Sequence, residues 1–124
     1  MWYDRAPFCK GILWFSALSL LVSADPAQAQ DRDLTRVIYD YAVTSYCGTL
    51  DLDVERGFRT ELETLTRRSG LDTEGARKQR LKGWVQADRE WSNRGLGGFR
   101  AWCQDEGVAA SRHFRAIAIG EKEP

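Results

Sequence analysis

From about residue 31 onward, the hydrophobic positions repeat at helical spacing and the repeats are broken by glycines. Leu34, Val37, Ile38, Tyr41 and Ala42 fall at i, i+3, i+4, i+7 and i+8, one face of a helix, and predict a first helix over 31–46. Tyr39, Val43 and Tyr46 form a second stripe, leaving only Asp33, Arg36, Asp40 and Thr44 as a narrow polar strip. A helix apolar around most of its girth is either central in its own fold or covered by a partner. A homodimer through this helix is therefore one reading of the pattern. Gly48 stops it.

Asp51 is placed to cap a second helix over 52–69, whose stripe is Val54, Phe58, Leu62 and Leu65. It ends in Ser69-Gly70-Leu71, glycine followed by an apolar residue, the left-handed helix stop. Asp72 then caps a third helix over 73–94, with Leu81, Trp84, Val85, Asp88 and Trp91 as its stripe and Gly95 as its stop. Two long helices joined by so short a loop predict an antiparallel hairpin. A short fourth helix over 99–106 carries Trp102 and Cys103 and is interrupted by Gly107. In 108–119, Ala110, Phe114, Ile117 and Ala118 fit a helix. The run 114–119 also suits an extended edge, but nothing else in the chain offers a strand partner, which favours helix. Residues 121–124 read as a frayed end. The pattern predicts an all-α fold, a small bundle of four to five helices.

The first 29 residues do not belong to that pattern. Asp4, Arg5 and Lys10 precede an uncharged run from Gly11 to Val22, and Ala27-Gln28-Ala29 follows. A positive flank, a short apolar run and an A-x-A triplet make a secretory signal peptide, cleaved after Ala29. The run is well short of the ~20 residues a spanning helix needs, so no stable membrane span is expected after processing. Cys9 precedes the apolar run and leaves with it. The division is then a signal segment over 1–29 and one helical domain over 30–124. Export to a bacterial periplasm, or secretion, is the expected destination. The excess of arginine over lysine is in keeping with a GC-rich bacterial genome.

Removing Arg5, Lys10, Asp4 and Asp25 leaves basic and acidic residues balanced, as they are in the whole chain. A neutral domain has no electrostatic basis for general nucleic-acid binding. The charges are unevenly spread: 31–63 is mainly acidic and 67–94 mainly basic, so opposite faces could pair within the fold or between protomers. Cys47 and Cys103 remain, and two cysteines in a small exported chain read as one disulfide. Closing so long a loop stabilises by about 4 kcal/mol in the chain-entropy account.

Most site chemistries lack parts. His113 is the only histidine, so a zinc or copper cluster is not expected, and no cofactor motif is present. The acidic run 51–55 starts like a calcium loop, but Arg56 stands where glycine is required. Ser111 and His113, two apart on a helix, point away from each other. His113 itself, between Arg112 and Arg115, reads as exposed. Asp88, inside an apolar stripe, is the carboxylate to watch, as an ion-pair partner or as the acid or base of a small enzyme. Trp84, Trp91 and Trp102 read as core or as the lining of a ligand pocket. Gly97 and Gly98 lie before the fourth helix, where bare backbone N–H groups attract anions. Arg94 and Arg100 flank them, so Arg94, Gly97, Gly98 and Arg100 form a candidate anion site. The expected function is a non-enzymatic binding or interaction protein, its partner a protein or a small anionic ligand. An acid-activated periplasmic chaperone and a small enzyme with a carboxylate site near Asp88 are the alternatives.

Overall fold

A computed structural model describes residues 32–124; the predicted signal segment and its cleavage site lie outside the described residues. The fold is all-α: α1 (Leu34–Tyr46), α2 (Leu52–Ser69), α3 (Thr73–Asn93), α4 (Gly95–Trp102) and α5 (Val108–Ala118), with a π-helical turn (Cys103–Gly107) between the last two. Three aspartates start the three long helices. Asp33, Asp51 and Asp72 each accept a hydrogen bond from the backbone N–H three residues on, at Arg36, Val54 and Gly75. Each such cap is worth about 1 kcal/mol. α1 thus begins just inside the predicted start, and α2 ends on Gly70 in the left-handed conformation (φ 61°) that its sequence demanded. Among the described residues no helix is long and apolar enough to cross a membrane.

α1 is the central element and supplies both hydrophobic cores. Tyr39, Ala42 and Val43 meet Ala87 and Trp102 in one; Val37 meets Val54 and Phe114 in the other. Its broad apolar girth is accounted for by burial within one chain.

The expected α2–α3 hairpin does not form. α3 packs on α1, and α2 packs on α5. Between α2 and α3, Arg80 Nη2 donates to Thr66 Oγ1 at 3.3 Å. The reason lies in which face α3 buries. Ala76, Gly83 and Ala87 face inward, while Leu81, Trp84 and Val85 stay 55, 40 and 39% exposed. A methyl group on Gly83 would sit 2.5 Å from the Thr35 carbonyl oxygen and 2.8 Å from Ile38 Cβ. α3 therefore rides directly on the α1 backbone, and its larger side chains turn outward. Asp88 goes with them: it is exposed and accepts a 3.2 Å hydrogen bond from the Tyr46 hydroxyl.

α2 and α5 approach just as closely. A methyl on Gly57 would fall 1.8 Å from the Phe114 carbonyl oxygen. Gly107 does not interrupt the chain as expected. It is buried in the π turn, where a side chain would meet the Cys47 sulfur, so the helix runs on into α5. α4 also starts earlier than predicted, at Gly95. Cys47, the C-cap of α1, is bonded to Cys103 at the head of the π turn, closing 56 residues of chain. The bond ties α1 to the α4–α5 segment; there is no central hairpin for it to enclose. Residues 121–124 are not frayed either: they fold back, with the Glu121 and Lys122 N–H groups on the Ala116 carbonyl and Arg68 Nη1 donating to the Pro124 main-chain oxygen at 2.8 Å.

Candidate functional site

The close approach of α2 to α5 places two functional side chains together. Glu61 is one helical turn beyond Gly57, and His113 adjoins Phe114. With the backbones in contact, Glu61 Oε2 comes within 2.8 Å of His113 Nε2. Glu61 is 1% exposed. Its other oxygen, Oε1, accepts from Arg32 Nε at 2.8 Å. Arg32, just ahead of α1, also places Nη2 2.7 Å from Asp40 Oδ2, and Arg36 Nη2 lies 2.9 Å from Asp40 Oδ1. Two buried carboxylates are thus held by two guanidinium groups and an imidazole, as buried charge requires.

On the far side of the ring, Lys122 Nζ lies 2.9 Å from His113 Nδ1. An ammonium can only donate, so Nδ1 accepts and Nε2 carries the proton given to Glu61. Burial alone would push the Glu61 carboxyl up. The His113 hydrogen bond and the Arg32 charge outweigh it and hold the group below the ordinary carboxylate range.

These residues floor a cleft of about 620 Å³, within the range of small-molecule sites. Leu34, Leu65 and Leu71 supply apolar wall, and Arg68, Lys122 and Glu123 also line it. The Ser69 hydroxyl, also on the cleft, donates to the Thr66 carbonyl. Ser111 is buried and bonded to the Gly107 carbonyl and Thr49. Among the described residues no group of three His, Cys, Asp or Glu side chains is arranged to hold a metal ion. Buried, paired charges thus form the floor of the cleft.

The four residues of the sequence-predicted anion site are not gathered into one enclosure. Arg94 lies over the Trp102 ring at 4.7 Å and pairs with Glu90. Gly97 (φ 85°) and Gly98 are inside α4, not ahead of it. Arg100 is exposed and lines a shallow depression of about 310 Å³ beside the disulfide, which Arg94, Gly97 and Gly98 do not line. Trp102 is core, its indole N–H donating to the Tyr39 hydroxyl, which donates in turn to Glu106. Trp91 packs against Trp102 and Tyr46. Among the described residues the ion pairs of the basic stretch are with its own neighbours, Arg77 and Lys78 with Glu74 and Arg94 with Glu90, and not with the acidic stretch.

His113, expected at the surface, has a side chain only 9% exposed, because α5 turns it onto Glu61. Sequence reasoning missed Glu61 and Arg32. A signal for Glu61 existed: Val54, Phe58, Glu61 and Leu65 are spaced i, i+4, i+7 and i+11, so a carboxylate sits in the α2 stripe as Asp88 does in the one read for α3. Arg32 left no such trace, since it acts from outside any helix. No protein-family model matches the chain, nor does any curated protein or solved structure.

Proposed function

We propose that this chain is an exported, non-enzymatic binding protein of the bacterial periplasm whose ligand occupies the cleft above Glu61 and His113. One observation carries the reading: a cleft of small-molecule size whose floor is already electrostatically satisfied by Arg32, Glu61 and His113. Such a floor needs no rearrangement to receive a ligand, and preorganisation of this kind reduces the cost of binding. Export rests on the N-terminal sequence and on the disulfide, which forms and persists in oxidising compartments.

Intact mass of the protein recovered from the periplasm tests the first half: it should begin at Gln30, and a full-length species confined to membranes would overturn it. For the second half, a panel of small metabolites is screened by thermal unfolding. A ligand of the folded state at a hundred times its Kd adds about 2.7 kcal/mol of stability. Chemical-shift changes at His113 and Leu65 would locate the ligand, and a complete absence of cleft-mapped binders would refute the reading.

The acid-activated chaperone is a second reading. The depressed Glu61 carboxyl favours it, because its protonation removes a buried ion pair below the ordinary carboxylate range. Suppression of client aggregation at acid but not neutral pH would support it over ligand binding.

A further inference from the structure

The charges lining the cleft point to a chemical class of ligand, if the cleft is the binding site proposed above. Its carboxylates are mostly committed. Glu61 is held between Arg32 and His113, and Asp33 is the N-cap of α1, accepting the Arg36 N–H at 2.8 Å. Of its cations, Arg32 is committed to Glu61 and Asp40, whereas Arg68 and Lys122 are not. Among the described residues no Asp or Glu side chain lies within ion-pair range of Arg68 or Lys122. Arg68 gives one N–H to the Pro124 main-chain oxygen, and Lys122 gives one to His113 Nδ1. Both groups keep further donors, since a guanidinium has five and an ammonium three. They line one cavity with three leucines, of which Leu71 is 38% exposed. Glu123 is the one lining Asp or Glu side chain without such a commitment.

We infer that the cleft takes an amphiphilic anion, its head on Arg68 and Lys122 and a short apolar body along Leu65 and Leu71. A charged head finds charge-assisted hydrogen bonds, and the leucines gain from apolar contact that water otherwise covers. Glu123 opposes the anion and sets an upper limit on its charge.

The test is isothermal titration of the purified protein with octanoate, octyl phosphate, octanol, octylammonium and acetate, the bound position being read by NMR. Octanoate or octyl phosphate should bind in the cleft at least tenfold more tightly than octanol, and acetate should fail for want of an apolar body. Arg68→Gln and Lys122→Gln, checked for unchanged circular dichroism, should each lose about tenfold for the anion and little for octanol. Glu123→Gln should bind the anion more tightly. The ratio of octyl phosphate to octanoate separates a phosphate head from a carboxylate head. Equal binding of octanol or octylammonium at the cleft overturns the anion assignment and leaves the cleft as a binding site. No binding at the cleft by any of the five overturns both.

Discussion

The contact that builds the site is also the one most open to attack. In Gly57→Ala the new methyl would lie 1.8 Å from the Phe114 carbonyl oxygen and 2.5 Å from its carbon. Ordinary carbon contacts are about 3.5 Å, so α2 and α5 must separate locally by roughly 1.5 Å. The obstacle is backbone and cannot rotate away. Two effects compete. Alanine is the better helix former by about 1 kcal/mol. Overpacking of this severity costs about 3 kcal/mol or more, at the top of the usual range, and it loosens Val54, Phe58 and Phe114 together. The clash wins by about 2–3 kcal/mol, which for a domain of this size lowers Tm by roughly 10–20 °C. Thermal unfolding followed by circular dichroism measures it. Gly70→Ala is the control: no atom lies within 4 Å of its added Cβ, and only the left-handed backbone opposes it, at about 1 kcal/mol. In Gly57→Ala the His113 Nε2–Glu61 hydrogen bond should also be lost, because the widened gap separates the two groups. A Tm equal to or above the parent's would mean that helix propensity prevails and that the two backbones do not touch.

Reducing Cys47–Cys103 should cost about 4 kcal/mol and lower Tm by ~15 °C or more; Cys47→Ser with Cys103→Ser should match it and be indifferent to reductant. Glu61 is depressed from an ordinary value of 4.5, so its contribution is complete above about pH 4.5 and is lost as pH falls through the lower folded value. Glu61→Gln should be less stable at neutral pH and lose less stability between pH 4.5 and 3; parallel curves would refute the pairing. Tyr39 behaves oppositely: burial, opposed by the Trp102 hydrogen bond and reinforced by Glu106, pushes its phenol from 10.0 up to about 12. The folded state then holds its proton longer than the unfolded one, so stability is intact below pH 10 and falls between pH 10 and 12. Tyr39→Phe should remove that alkaline slope.

Much of the fold was legible because its signals are local. The Asp51 and Asp72 caps, Gly70 and the stripes of α1 and α2 each act within one turn of helix, and the structure places them where the sequence put them; Asp33, read as part of the first helix, caps it instead. The cysteine pair was legible for another reason: only two remained to choose from. What was not legible is which helices meet. That choice rests on Gly57 and Gly83, and a glycine in a helical run gives no sign of whether it ends the helix, weakens it or admits a neighbour's backbone. Gly107 was read as an interruption for the same reason, although it makes room for the disulfide.

The third helix shows what governs the choice. Read by size, its core face is Leu81, Trp84, Val85 and Trp91; read by contact, it is Ala76, Gly83 and Ala87, with Trp91 alone of the large residues packed on the core. α1 already carries the bulk on its side of that interface, with Ile38 and Tyr39 standing against α3. A partner bearing large side chains there would hold the helices apart and leave a void, whereas a small face lets backbone meet side chain at the packing density of a protein interior. Large residues on one helix thus select small ones on its neighbour, and the neighbour's own large residues must go elsewhere. The same rule carried the site out of view. Asp88 lies with the large residues and ends at the surface, while Glu61, one turn from Gly57, is drawn under the α2–α5 contact and buried. A carboxylate within a helical stripe therefore becomes a buried group when a small residue one turn away brings another backbone over it, and stays a surface charge when that residue is large, as Trp84 is for Asp88.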